Sequence, residues 1–353
     1  MLLELHKIFP ESPVYTLIHN PESAGLFKDL TIHTSFLEKM PFGISHFKWY
    51  LWMMPHAWEQ FDFSNYDVVI TSTSAFSKGI LTPPNTLNIS YCHSPTRYLW
   101  SDTHQYVDEL KQPKIIKKIL PLILNQLRIW DHVAAQRVDK FIANSEFVAK
   151  RIKKYYQRDS TVIYPPIDTK KFQISPDLGD YYVIVSRLRP YKRVDLAIRA
   201  FNQLRIPLKI IGTGEEESRL KKMANDNIQF LGGLPDSERN KVLSRAKAFI
   251  NPQEEDFGIT AVEAMASGRP VIAYKSGGAL ESIVDNVTGK FFNEQSWESL
   301  ADAVIRFDRQ VSDYDPYKIK KHSEKFDTSV FDEKIKEFIS KSWQEFSGTK
   351  MDI

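Results

Sequence analysis

Two glutamates, Glu255 and Glu263, lie on either side of a glycine at a predicted loop-to-helix junction. Gly258 allows the backbone to approach a ligand closely. The helix is predicted to begin near Ile259 or Thr260, which leaves free amide groups and the positive end of the helix dipole at the junction. Such a junction can bind a diphosphate or a sugar hydroxyl, and two carboxylates can accept hydrogen bonds from hydroxyls at two points of one ligand. Ordinary surface glutamates on a helix are the alternative interpretation.

Basic residues cluster directly after the predicted strand 181–186. Arg187, Arg189 and Lys192 stand at the start of the next predicted helix, where positive charge opposes the helix dipole. Because ligands bind at the carboxyl ends of strands in parallel sheets, these residues indicate a bound anion. Pro190 is also expected at a helix start on structural grounds alone.

A histidine, His93, follows the predicted strand 87–91. It can take part in acid–base chemistry or donate a hydrogen bond to a substrate hydroxyl. A lone histidine is more often a structural residue, so its position at a strand end is the only sequence argument for function.

Two further patterns argue against other chemistries. Gly212 and Gly214 follow a strand, but Glu215, Glu216 and Glu217 come next, where they would repel a pyrophosphate, and the third glycine of a dinucleotide motif is absent. The pair Asp313 and Asp315 lies in a polar stretch, which we interpret as a solvated turn. We therefore predict no nicotinamide cofactor and no metal.

The elements that position these residues are short, continuous apolar strands that alternate with helical patterns. Continuous apolar runs suit parallel strands buried on both faces, and the alternation predicts an α/β fold. The prolines in 164–168 mark a boundary. We predict two Rossmann-like domains facing across a cleft, spanning residues 1–168 and 169–325, with a C-terminal helix in 326–353 that packs back toward the first.

The first half also contains an aromatic segment, residues 36–63, and a basic, apolar stretch, residues 111–120. Lysines alternate with isoleucines in the second, as is typical of a contact with an anionic membrane surface. The alternative is a helix that packs its apolar side on the sheet and leaves its lysines in water.

Composition narrows the classes of function. The chain has 353 residues, with 47 Lys and Arg against 44 Asp and Glu, and a single cysteine. A net charge of only +3 argues against a nucleic-acid partner. No apolar run reaches the ~18–20 residues of a membrane span, and Met1–Leu5 does not resemble a signal peptide. These features predict a cytoplasmic protein.

Taken together, these motifs resemble those of glycosyltransferase family 4, the retaining, nucleotide-sugar-dependent enzymes of the GT-B fold. The resemblance covers essentially the whole chain and is most specific in the glutamate pair. The spacing of Arg187 and Lys192, the loop 275–281 and the runs 141–145 and 164–168 also match. The segment 91–100 resembles the bacterial mannosyltransferase branch that builds O-antigen or exopolysaccharide.

The resemblance implies roles for individual residues. Arg187 and Lys192 would hold the donor diphosphate, and Glu263 would bind the ribose. The transferred sugar would contact Glu255, the backbone of Phe257, Gly258 and Ile259, and, near the reacting carbon, His93. We treat His93 and Glu255 as the catalytic candidates.

The implied reaction moves a hexose, with mannose favoured, from a nucleotide sugar such as GDP-mannose to a lipid-linked saccharide, at the inner face of the membrane and without a metal. Two alternatives stay open: a nucleotide-sugar hydrolase or epimerase of the same fold, and a truncated protein that binds the nucleotide sugar without turnover.

One departure from the family concerns the beginning of the chain. Met1 falls inside a predicted first helix whose apolar face holds Leu2, Leu5 and Phe9. The family normally places a strand and a glycine-rich loop before this helix. We therefore expect the first domain to lack its first strand and the true start to lie upstream.

Overall fold

The computed structural model describes residues 1–20, 25–28, 30–103, 107 and 114–349. It divides into two compact units, which we call unit 1 (residues 1–163 and 332–353) and unit 2 (residues 164–331). These boundaries lie five and six residues from those expected after residues 168 and 325. The division groups most of the C-terminal helix with unit 1.

Unit 1 alternates strands and helices. Its strands are β1 (Val14–Thr16), β2 (Ile32–Thr34), β3 (Val68–Thr73), β4 (Leu87–Cys92), β5 (Lys140–Ala143) and β6 (Ser160–Val162). Its helices with described bounds are α1 (Leu2–Ile8), α2 (Met54–Glu59), α3 (Lys114–Gln136) and α4 (Glu146–Tyr156).

The strands of unit 1 form two separate parallel sheets among the described residues. One sheet contains β1 and β2, and the other has the order β3-β4-β5-β6. Every residue of β4 is buried, whereas most of β3 is half-buried. The difference follows from position, because β4 has a neighbour on each edge and β3 has only one.

Unit 2 contains a single six-stranded parallel sheet. Its strands are β7 (Tyr182–Val185), β8 (Leu208–Ile211), β9 (Ile228–Gly232), β10 (Phe249–Asn251), β11 (Val271–Tyr274) and β12 (Gly289–Phe292). Its helices are α5 (Val194–Leu204), α6 (Glu217–Met223), α7 (Asp236–Arg245), α8 (Ile259–Ala266), α9 (Ala279–Ser282), α10 (Trp297–Asp308), α11 (Pro316–Ser323) and the start of α12 (Thr328–Ser347).

The strand order in unit 2 is β12-β11-β10-β7-β8-β9. The chain builds outward from β7 in one direction and then returns to add β10 on the other side. This reversal creates a topological switch point between β7 and β10, and ligands of open parallel sheets bind in the crevice beyond such a point. The loops that follow these two strands carry Arg187 and Glu255, respectively.

The predicted strands differ from the observed ones mainly at their ends. The strand expected over 14–18 ends at Thr16, and the one expected over 161–164 ends at Val162. Tyr164 lies beyond that end because two prolines follow it, and its ring stacks on Phe257 within unit 2, with centroids 5.4 Å apart. The sequence did not predict β2.

The membrane-contact prediction falls partly outside the described residues. Residues 111–113 and the side chains of 114–116 are not described, whereas Lys118 is exposed. In the aromatic segment, Phe42, Trp49 and Trp52 are 64, 61 and 64% exposed. No helix in the described ranges combines the length and the apolar character that crossing a membrane requires.

Candidate active site

The switch point of unit 2 brings Lys192 and Glu255 together. The ammonium of Lys192 donates a hydrogen bond to the carboxylate of Glu255, and the side chains are 17 and 20% exposed. The amide of Gln253 donates to the same carboxylate oxygen at 2.6 Å. Glu255 is therefore held in one orientation by two donors, while Lys192 retains further N–H groups for a ligand.

Arg187 and Arg189 have different surroundings, although the sequence grouped them. Arg189 forms an ion pair with Glu215 at 2.6 Å. Glu215 thus balances the charge of Arg189 in this structure, and a contribution of Arg189 to the anion site stays a prediction. Arg187 is exposed, and no residue in the described ranges forms an ion pair with it. Arg187 is thus available to an anion.

The loop that carries Arg187 packs against the loop after β8, which contains Gly212 and Gly214. A Cβ atom on Gly212 would lie 1.9 Å from the carbonyl oxygen of Ser186, and one on Gly214 would lie 2.2 Å from that of Leu188. The amide of Leu188 donates to the carbonyl of Thr213 at 2.9 Å. These glycines are explained by close packing between two loops, so they need no dinucleotide to account for them.

The junction at Gly258 has the backbone that the sequence indicated. Gly258 has φ +94° and precedes α8, whose N-terminus has no side-chain cap. The added Cβ would meet nothing closer than 3.7 Å, so the positive φ rather than crowding favours glycine here. Phe257 is buried, whereas Ile259 is 48% exposed. Phe257 can therefore contribute only its backbone to a ligand.

A further glycine pair fixes the loop of Glu255 from the other side. A Cβ atom on Gly277 would lie 2.3 Å from the backbone carbonyl oxygen of Glu255, and one on Gly278 would lie 2.4 Å from the Cα of Phe257. The amide of Gly278 donates to the carbonyl of Glu255 at 2.8 Å, and the hydroxyl of Ser276 donates to Glu254. The sequence reasoning assigned no role to these residues, although the double glycine was the available signal.

Glu263 lies on α8 and is only 17% exposed. Arg239 approaches it, with Nη2 3.6 Å from Oε1. Burial nevertheless raises the pKa of the Glu263 carboxyl, and Arg239 opposes that rise only in part. A buried carboxylate with one distant cation has acceptor capacity left for hydroxyl donors. Arg239 was not identified from the sequence, because nothing in its local pattern points to α8.

His93 belongs to unit 1 and follows β4. Its Nε2 lies 2.9 Å from the hydroxyl of Ser72, at the end of β3. Burial lowers the pKa of the imidazole to about 4. His93 is therefore neutral near pH 7, a state that suits hydrogen bonding to a hydroxyl and not the stabilisation of an anion by charge.

The residues that follow His93 are anchored by a buried acid, Asp131 on α3. Asp131 accepts hydrogen bonds from Thr96, Trp100 and Tyr156, each at 2.8 Å, and from Lys78 at 2.5 Å. Lys78 and Asp131 are 1 and 0% exposed. The loop 93–100 is thus held by a buried carboxylate whose oxygens accept four hydrogen bonds.

Of the pair Asp313 and Asp315, the second residue has a structural role. Asp315 caps α11 by accepting hydrogen bonds from the amides of Tyr317 at 2.8 Å and Lys318 at 3.3 Å. In the described ranges, no group of three or more His, Cys, Asp or Glu side chains is placed to hold a metal ion.

Comparison with known families divides the chain into two matches. A family model described as Glycosyltransferase Family 4 matches residues 16–171, and one described as Glycosyl transferases group 1 matches residues 167–314. Together they extend over residues 16–314.

Two curated relatives are mannosyltransferases. The GDP-mannose-dependent alpha-(1-6)-phosphatidylinositol monomannoside mannosyltransferase of Mycolicibacterium smegmatis is 34% identical over 170 residues, covering 40% of this chain and 44% of that protein. The alpha-1,3/1,6-mannosyltransferase ALG2 of Saccharomyces cerevisiae is 27% identical over 262 residues, covering 58% and 49%. The matches thus span about half the length of these relatives.

Solved structures agree with the fold over nearly the whole chain. HepE of Anabaena, solved in complex with UDP, superposes with a TM-score of 0.72 at 17% identity and covers 96% of this chain and 95% of its own. Sucrose-phosphate synthase of Thermosynechococcus elongatus gives a TM-score of 0.67 at 19% identity, with 96% and 87% covered. On the two family matches and this architecture, the chain belongs to glycosyltransferase family 4 and has the GT-B fold of two Rossmann-like domains.

Proposed function

We propose that the chain is a retaining hexosyltransferase that moves mannose from GDP-mannose to a lipid-linked saccharide during cell-surface polysaccharide synthesis. The observation that carries this proposal is the group of cations and backbone donors at the switch point of unit 2. Arg187 is exposed and without an ion-pair partner in the described ranges, Lys192 is beside Glu255, and α8 begins without a side-chain cap.

This arrangement suits a donor with a diphosphate flanked by two sets of hydroxyls. The bond between the sugar carbon and the phosphate oxygen breaks, and the acceptor hydroxyl oxygen bonds to that carbon and loses its proton to the departing nucleoside diphosphate, on which negative charge grows. Arg187, Lys192 and the amides at the start of α8 stabilise that charge. Glu255 and Glu263 accept hydrogen bonds from sugar and ribose hydroxyls. Because the protein supplies this positive charge itself, the proposal requires no metal.

The choice of donor and acceptor rests on the relatives. One of them is named as GDP-mannose-dependent and as acting on phosphatidylinositol monomannoside, which favours GDP-mannose and a lipid-linked acceptor. The exposed aromatic side chains of unit 1 support a position at the membrane surface. We place the protein peripherally, at the cytoplasmic face.

The test measures release of nucleoside diphosphate from GDP-mannose and from UDP-glucose, each with and without a bacterial lipid extract. The proposal expects release from GDP-mannose that depends on the extract and labels a lipid. Release that is equal without the extract would instead identify a hydrolase. Absence of release in every reaction, with GDP still bound, would identify a non-catalytic binding protein.

A matched pair of arginine variants tests the site itself. Arg187→Ala removes a charged partner of the diphosphate, worth about 1.5–3 kcal/mol, so GDP affinity measured by calorimetry should fall about tenfold or more. Arg189→Ala is the control, because Arg189 is paired with Glu215, and it should bind GDP with nearly unchanged affinity. Equal losses in both variants would contradict the assignment.

A further inference from the structure

A glutamine in the loop after β12, Gln295, lies between the loop of Lys192 and the loop of Glu255. Its side-chain oxygen accepts a hydrogen bond from Nη1 of Arg193 at 2.9 Å, and its side-chain nitrogen donates one to the carbonyl of Pro252 at 3.3 Å. A guanidinium can only donate and a carbonyl can only accept, so the orientation of the amide is fixed. Arg193 directly follows Lys192, and Pro252 directly follows β10. Gln295 thus connects the two loops through both ends of one amide.

The backbone of Arg193 is in the left-handed region, with φ +50° and ψ 32°. A non-glycine residue adopts this conformation at an energetic cost and keeps it only where neighbouring contacts hold it. The helical turn Pro190–Lys192 ends at this residue, and α5 begins after it. The guanidinium of Arg193 is held by Gln295 and by the carboxylate of Asp195, 3.6 Å from Nε. Gln295 therefore supports the change of chain direction directly after Lys192.

These contacts lie outside the hydrophobic core of unit 2. The side chain of Arg193 is 36% exposed, and Gln295 is half-buried. Substitutions in a core destabilise a protein chiefly by opening cavities, which truncation of these two side chains would not do. Loss of the contacts should therefore alter the geometry of the two loops more than the stability of unit 2.

The spacing between the two loops matters for the proposed reaction. Lys192 supplies charge for the diphosphate, and its hydrogen bond to Glu255 crosses from one loop to the other. Negative charge grows on the diphosphate only as its bond to the sugar breaks, so an accurately placed cation stabilises the transition state more than the bound donor. A displacement of about 1 Å in such a site costs up to about 10²-fold in rate. Loss of the connection should therefore lower kcat more than donor affinity.

We propose that Gln295 is a positioning residue: it fixes the spacing between the loop of Lys192 and the loop of Glu255 without contacting the donor. The kinetic consequence of this role rests on the proposed function. The packing of Lys192 against Glu255, in contrast, can be probed without turnover. A measurement of each kind therefore distinguishes failure of the positioning role from failure of the proposed function.

The first measurement is the rate at which N-hydroxysuccinimidyl acetate acetylates Lys192 in the full chain, followed by peptide mass spectrometry. Lys192 is 17% exposed and bonded to Glu255, so it should react more slowly than the exposed Lys222, the internal reference. Gln295→Leu should accelerate the reaction of Lys192 about threefold or more, because the loop loosens. Glu294→Ala is the matched control, since this side chain is exposed in the same loop, and it should leave the rate unchanged. An unchanged or slower rate in Gln295→Leu would overturn the proposal.

The second measurement is the initial rate with GDP-mannose and the lipid extract. Gln295→Leu should lower kcat about tenfold or more while changing the KM for GDP-mannose by less than about threefold, with an unchanged melting temperature. Arg193→Gly removes the donor to Gln295 and suits the left-handed backbone, so it should keep or raise the melting temperature and still lower kcat.

The double variant tests whether both substitutions act through one connection. It should lose no more kcat than Gln295→Leu alone, because that substitution already removes the contact with Arg193. Losses that multiply in the double variant, or a loss carried entirely by KM, would contradict the positioning role. If the wild type transfers nothing from GDP-mannose while the acetylation of Lys192 behaves as expected, the proposed function is refuted and the positioning role is supported.

Discussion

The buried pair of Lys78 and Asp131 provides a quantitative test of how the His93 loop is supported. Lys78→Met preserves most of the side-chain volume but removes the positive charge beside a carboxylate that is 0% exposed. Removing one partner of a buried ion pair costs about 3–5 kcal/mol. Because a domain is stable by only about 5–15 kcal/mol, the change should be large yet measurable.

The assay is urea unfolding followed by tryptophan fluorescence. Six of the seven tryptophans lie in unit 1, and Trp100 itself donates to Asp131, so the signal reports mainly on this unit. With a urea dependence of about 2 kcal/mol per molar, the midpoint should fall by about 1.5–2.5 M. The same variant should also weaken activity, because Thr96 and Trp100 bond to Asp131.

A double-mutant cycle separates the pair from general disruption of the core. Asp131→Asn alone should also destabilise unit 1, since the carboxylate accepts four hydrogen bonds. In the double variant neither charge is left buried alone, so its loss should be smaller than the sum of the single losses by at least about 1 kcal/mol. Additive losses would refute the reasoning.

Four further measurements test the candidate site and the proposed membrane contact. Glu263→Gln should lower the GDP affinity measured by calorimetry about tenfold. Burial raises the pKa of this carboxyl in the folded state, so the wild-type protein gains stability as the pH falls through that pKa. The variant lacks this gain, so its stability in urea relative to the wild type should be highest above that pKa and should decline below it. EDTA should leave turnover intact, and turnover lost to EDTA and restored by magnesium would contradict the absence of a metal requirement. Asp315→Ala should lower the melting temperature without creating a magnesium requirement. Trp49→Ala with Trp52→Ala should reduce flotation with anionic liposomes at low salt, and unchanged flotation would exclude these side chains as the contact. His93, with a pKa of about 4, should show no NMR titration between pH 5.5 and 8; a titration there would contradict its neutral assignment.

The fold could largely be predicted from the sequence because most of its strands are continuous apolar runs, the pattern of buried parallel strands. The strands over 140–143 and 289–292 have the predicted bounds, since each combines apolar residues with a clear break after it. β2 escaped prediction because Ile32, His33 and Thr34 form no continuous apolar run. Its strand conformation depends on pairing with β1, which is tertiary information.

Site residues could be predicted where all of them lie within one short segment of sequence. They could not be predicted where an ion-pair partner is distant in the sequence. Glu255, Gly258 and Glu263 could be recognised because backbone and charge requirements fall within one short segment. Arg189 could not be distinguished from Arg187, because its partner Glu215 lies on a loop after another strand. Lys78 gave no sign of burial, since a lysine between serine and glycine is ordinarily exposed.

The topology explains why glycines surround the charged residues of unit 2. At the switch point the loops after β7 and β10 must approach each other closely enough for Lys192 to reach Glu255. Each loop is in turn packed against a glycine-containing neighbour, one at Gly212 and one at Gly277, where a Cβ would collide with backbone. Substitution at these glycines would therefore displace the charged groups without touching them. The positions of the charges in this site therefore depend as much on the neighbouring glycine-containing loops as on the charged residues themselves.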